Sequence, residues 1–77
     1  MPTRITFGPD LEPLRSAGGA LIGPRQDGLL VEEDMVTASR ALASVAGNWP
    51  ELTQVLGEST RRIVVNPEAV RMLSEEG

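Results

Sequence analysis

The segment from Gly8 to Gly28 carries five glycines and three prolines within a chain of 77 residues. Glycine loses the most backbone freedom in a helix, and proline removes a donor and clashes with the preceding turn, so no continuous helix can run through this stretch. The rest of the chain must build the fold, with this segment laid across it as turns, a hairpin or an arm. Inside it, Leu11 and Leu14 are spaced like one turn of helix. Ala20-Leu21-Ile22 and Gly28-Leu29-Leu30-Val31 flank the turn-like Pro24-Arg25-Gln26-Asp27, which predicts a loose hairpin. The rival reading is an extended arm over 8–28 that becomes ordered on a partner.

Elsewhere the periodicity is clearer. Thr3 to Phe7 alternates, Ile5 and Phe7 on one face and Arg4 and Thr6 on the other, as a half-buried strand does. Glu32, Glu33 and Asp34 place negative charge where a helix N-terminus favours it, and Met35, Ala38, Leu42 and Val45 follow at spacings of three, four and three. A main helix is therefore expected over 32–46. Gly47 suits its C-cap, Asn48 with Glu51 resembles a capping box, and Pro50 fits a first turn, which predicts a second helix over 50–57 with Leu52, Val55 and Leu56 inward. Trp49 would sit at the corner between the two helices. Three consecutive β-branched residues make 61–65 a strand, and Asn66-Pro67 then starts a C-terminal helix over 67–76, with Val70 and Leu73 or Met72 docking. The predicted fold is a single small α+β domain over 1–77: two to three helices packed on a small, mostly antiparallel sheet, with a Gly/Pro-rich N-terminal hairpin or arm.

Composition limits the chemistry. The chain has seven arginines but no lysine, histidine, cysteine or tyrosine, which removes the usual catalytic bases, thiol nucleophiles, Schiff-base amines and soft metal ligands. No disulfide or zinc can staple a core that is small at this length. The glycines around Ser16-Ala17-Gly18-Gly19 lack the spacing of a phosphate-binding loop, and the acidic residues from Asp27 to Asp34 do not follow the order of a calcium loop. No catalytic residue, metal site or cofactor is expected. The exclusive use of arginine over lysine fits the coding bias of a GC-rich bacterial genome or of a phage that infects such a host.

A net charge of -4 opposes binding to phosphate backbones and anionic membranes. No apolar run is long enough to span a bilayer, and the N-terminus lacks the pattern of a signal peptide, so the expected location is the cytoplasm, or a virion if a phage encodes the chain. These exclusions favour a non-catalytic protein-binding module, either a structural or assembly component or an adaptor or inhibitor, whose partner is another protein or a second copy. The expected contact residues are Leu11, Leu14, Leu21 and Ile22 of the arm, with Arg61 and Arg62 beside them. Two alternatives come from other classes. The predicted helix pair would suit a helix-turn-helix regulator or antitoxin, although Pro50 lies in its turn and Glu51 and Glu58 would face phosphates. A small enzyme could instead rely on a carboxylate pair, which would need a deep pocket that raises one pKa.

Overall fold

The computed structural model describes residues 1–43 and 47–76. Alternation at the N-terminus produces strand β1 (Thr3–Phe7), in which Thr3, Ile5 and Phe7 are buried. Strands β2 (Leu14–Ser16) and β3 (Gly28–Val31) follow, then helix α1 (Met35–Ala43), strands β4 (Glu51–Leu56) and β5 (Ser59–Val65), a 3-10 turn at Pro67–Ala69 and strand β6 (Val70–Glu75). The six strands form one antiparallel sheet in the order β2-β5-β4-β3-β1-β6.

This sheet overturns the expected α+β arrangement of two to three helices on a small sheet. Among the described residues there is one α-helix, of nine residues, and strands dominate. The second helix, expected over 50–57, is β4. Leu52, Val55 and Leu56 do match a helical spacing, but Gly57-Glu58 makes a two-residue hairpin turn directly after them. Gly57 has φ +63° and no described non-glycine residue has positive φ, as a type II′ turn requires. That turn sets Leu56 opposite Ser59 and carries the register from there to Glu51 opposite Val64. Glu51, expected to close a capping box, instead faces Arg62 across the sheet's outer side.

The C-terminal helix over 67–76 is corrected in the same way. Asn66 does cap a helical turn, its Oδ1 accepting from Glu68 N–H at 3.0 Å, and Pro67 stands in the first turn. The turn ends after Ala69, because Val70–Glu75 supplies the second ladder of β1. Thr3 meets Glu75 and Ile5 meets Leu73. A helix here would leave the backbone of β1 unpaired along one edge, a cost that outweighs local propensity.

The main helix, expected over 32–46, begins at Met35. Glu32 N–H donates to Thr53 C=O at 2.8 Å, and the Glu33 carboxylate accepts Thr53 N–H at 3.0 and 3.1 Å, so both glutamates are held against β4. Asp34 is the cap: its Oδ1 accepts Thr37 N–H at 2.7 Å and its C=O accepts Ala38 N–H at 2.9 Å. Residues 44–46, where the helix and its Val45 contact were expected to end, lie outside the described residues. The hairpin expected between 20–22 and 28–31 does not form either. Leu29 and Val31 pair with Ile5 and Thr3 of β1, and Leu21 bridges back to Arg15 through a tight turn at Gly19, φ +89°.

Register divides the sheet into two faces. Ile5, Phe7, Leu29, Val31, Leu52, Ile63 and Val65 point inward and form the core with Leu14 and Ala69. Ala41 and Leu42 of α1 cover part of it, and Ile22 of the 8–27 segment covers another part. A helix of nine residues cannot roof six strands, so the Gly/Pro-rich segment provides the rest of the cover. The helix packs mainly beside β6.

Two consequences are measurable. Replacing Gly57 with Ala puts an L-residue at positive φ, which should lower unfolding stability by about 1–2 kcal/mol in urea denaturation. The N–H and hydroxyl of Thr37 hold the Asp34 carboxyl below its ordinary pKa, the backbone N–H contributing most. A depressed folded-state pKa adds stability that is present above the unfolded value and lost on acidification through the folded one. Stability should therefore fall as pH drops below about 4, and Asp34→Asn, which keeps a cap but cannot titrate, should flatten that part of the pH profile.

Candidate functional site

Besides the pairing of β2 with β5, two side chains fasten the segment over 8–27, and the space between its limbs is a cleft. Its first limb is fixed by Asn66, whose Nδ2 donates to Glu12 C=O and whose N–H donates to Pro13 C=O, both at 2.9 Å. Its second limb is fixed by Arg25, whose guanidinium donates to Leu11 C=O at 2.7 Å and also to Gly8 C=O, and lies 3.8 Å from Asp27 Oδ1. One planar head thus ties two carbonyls of the opposite limb, a use to which a lysine ammonium is less suited. The cleft left between the limbs has a volume of about 380 Å³, within the range of small-ligand and side-chain pockets.

Four of the expected contact residues meet here. Leu14 forms part of the buried floor and Ile22 is half-buried against the core, while Leu11 and Leu21 are 43% and 74% exposed. Leu11 and Leu14 come together without the helical turn their spacing suggested, because Leu14 starts β2. Leu11 and Leu21 thus form an exposed apolar rim beside the cleft, unlike an isolated exposed leucine on a flat surface.

The two arginines part company, because neighbouring residues of a strand face opposite ways. Arg62 lies on the outer face, and its Nε donates to Glu51 Oε1 at 2.6 Å. It is remote from the cleft in register and face. Arg61 is on the inner side, where its Nε donates to Gln54 Oε1 at 2.7 Å. Gln54, only 3% exposed, passes its Nε2 to Gln26 Oε1 at 3.1 Å, and Gln26 lines the cleft. Arg61 is therefore joined to the site through a relay of two glutamines and does not stand beside the four apolar residues as expected. Sequence reasoning missed Arg25, Gln26 and Gln54. A single arginine inside a turn flanked by apolar residues was the available signal for Arg25; a glutamine in an apparently helical segment gave none for Gln54.

A second cluster lies on the outer face. Arg15 forks onto the Glu12 carboxylate, with Nε at 3.1 and 3.2 Å and a terminal nitrogen at 2.9 Å, and its guanidinium carbon sits 5.3 Å from the centroid of the Trp49 ring. The hydrogen bond and then the charge of Glu12 hold the Arg15 pKa above its ordinary value. Trp49, expected to fill a corner between helices, is half-buried under this arginine. The contact is a cation–π stack that leaves Arg15 charged and oriented.

Of the acidic residues that line the cleft, Glu12 is neutralised by Arg15, whereas Asp10 has no ion-pair or hydrogen-bond partner among the described residues. Among the described residues no three acidic side chains come close enough to hold a metal ion, and no helix is long and apolar enough to cross a membrane. The helix pair that a helix-turn-helix requires is replaced by α1 and the β4–β5 hairpin. Comparison with protein-family models, with curated proteins and with solved structures finds no match to this chain.

If Arg25 clamps the two limbs, Arg25→Ala should loosen them without unfolding the sheet. Amide hydrogens of residues 22–26 should then exchange several-fold faster, while the urea midpoint moves little, since local opening is governed by local contacts. An unchanged exchange rate would show that the β2–β5 ladder and Asn66 hold the segment without Arg25.

Proposed function

We propose that this chain is a non-catalytic protein-binding module, serving as an assembly component or adaptor, and that the cleft of the 8–27 segment is where it takes hold of its partner. The observation that carries this reading is the exposure of Leu21 and Leu11 on either side of a cleft whose shape is set by Arg25. Burying exposed leucine side chains against a partner contributes about 25 cal/mol per Å² of apolar surface, and the cleft already exists before the partner arrives.

The chemistry of the partner segment follows from the lining. An apolar side chain, leucine or a residue of similar size, fits between Leu11, Leu21 and Ile22. Next to it Asp10 offers an uncompensated carboxylate, on a chain whose net charge is -4. A basic residue adjoining the inserted apolar one would be steered and oriented by that charge. Gln26, which is tied to Gln54, offers a fixed polar group for a backbone amide of the bound segment. The partner is accordingly a basic, leucine-bearing segment of a larger protein.

Titrating short peptides that carry leucine beside arginine or lysine into the labelled protein tests this by nuclear magnetic resonance. Shifts should concentrate on residues 10–26, and Leu21→Asp should weaken binding about tenfold or more, as for an interface anchor. Because that side chain is exposed, the variant should keep its unfolding stability within about 0.5 kcal/mol. Shifts that map to the outer face of the sheet, or a Leu21→Asp variant that binds as the wild type does, would overturn the assignment.

A further inference from the structure

The sheet ends in two different edges. On one side β2 is three residues long, and Leu21 bridges to its Arg15. On the other side β6 runs for six residues, interrupted by one bulge and carrying two charged side chains, Arg71 and Glu75. Its pairing with β1 fixes which backbone groups are free. Glu76 N–H donates to Pro2 C=O at 2.9 Å, and the ladder continues through Arg4 opposite Ser74 and Thr6 opposite Met72. In an antiparallel ladder alternate residues turn their N–H and C=O groups to the neighbour, so Met72 and Ser74 face β1 while Leu73 and Glu75 direct theirs to the open side. Arg71 is the extra residue of a bulge, since Phe7 pairs with Val70 and Thr6 with Met72.

The charges on this strand are complementary to their own reversal. Arg71 and Glu75 have no ion-pair partner among the described residues. If a second β6 is laid antiparallel with Leu73 opposite Leu73, Arg71 of each copy falls opposite Glu75 of the other. The same register places the outward groups of both Leu73 residues face to face, as hydrogen bonding requires. Beside the edge there is also room. An open groove of about 520 Å³ runs between α1 and Glu75, lined by Met35, Val36 and Arg40, with Val36 60% exposed.

We infer that β6 is a homodimerisation edge: two copies pair antiparallel through β6, centred on Leu73, and join their sheets into one. The interface is isologous, as a two-fold axis demands, and each Arg71–Glu75 contact occurs twice. Like charges directly opposite each other on paired strands are destabilising, which makes the register testable through charge alone.

Sedimentation equilibrium on the full chain and its variants tests the pairing. The wild type should show a concentration-dependent monomer–dimer equilibrium. Glu75→Arg and Arg71→Glu, each of which sets two like-charge pairs across the axis, should each dimerise about tenfold more weakly. An equimolar mixture of the two should recover dimers, because every cross-axis pair is then opposite in sign. Glu75→Pro provides a second check, since it removes a donor that faces away from β1 and should abolish the dimer while the monomer stays folded by circular dichroism. A wild type that remains monomeric up to about 1 mM would overturn the inference, as would a dimer indifferent to these variants or single variants whose mixture does not recover.

Discussion

Asn66 is the residue through which the separate parts of this protein are held in one arrangement. It stands at the end of β5, and its backbone N–H and side-chain amide reach the carbonyls of Pro13 and Glu12. Its side-chain oxygen caps the turn that leads into β6, and its own carbonyl accepts Ala69 N–H at 3.1 Å. The side chain is almost fully buried, so each of these groups would be costly to leave without a partner. The Gly/Pro-rich segment on one side and β6 on the other both depart from this point. The ladders of β2 with β5 and of β6 with β1 fix each part along the sheet, and Asn66 ties the two to each other.

From that anchor the division of labour follows. The sheet's inner face is mostly aliphatic, with Phe7 as the aromatic member of its core and with Thr3, Gln54 and Arg61 as polar ones, and it is roofed by a short helix at one end and an irregular segment at the other. A roof made of loop cannot be as tightly closed as one made of helix, because its glycines and prolines contribute little side-chain volume. The cleft beside Leu11 and Leu21 is the space this leaves, and Arg25 spans it. The buried polar line from Gln26 through Gln54 to Arg61 continues below, each group supplied with a partner.

Only some local elements of the architecture were legible in the chain. The alternation of Thr3 to Phe7 and the β-branched run at Ile63-Val64-Val65 both mark strands, and the acidic cluster at 32–34 marks a helix start, though it placed that start three residues early. The errors have a common cause. At 51–56 and at 70–75 the apolar residues fit a period of 3.6 about as well as a period of two, and the preceding Asn and Pro suit a helix start. Gly57-Glu58, two residues between alternating runs, was the one local signal for a hairpin there. For 70–75 no local signal existed, since what made it a strand was the vacant edge of β1, nearly the whole chain away in sequence. That Leu11, Leu14, Leu21 and Ile22 share one region was legible because all four lie in the same Gly/Pro-rich segment. The separation of Arg61 from Arg62 was not, because it needed the strand's face to be known.

What the sequence alone determined is negative and local: no residue for the common nucleophiles and bases, no continuous helix through 8–28, strands at 3–7 and 61–65, and a helix following the acidic cluster at 32–34. Those properties reside in side-chain chemistry and in backbone preferences a few residues long. Only the tertiary structure decided that two further segments are strands, that the arm is a roof with a cleft, and that β6 is left as a long open edge. Each of those outcomes depends on pairing a backbone or covering a face contributed by a distant part of the chain, and the free energy of such pairing exceeds the small local preference it overrides.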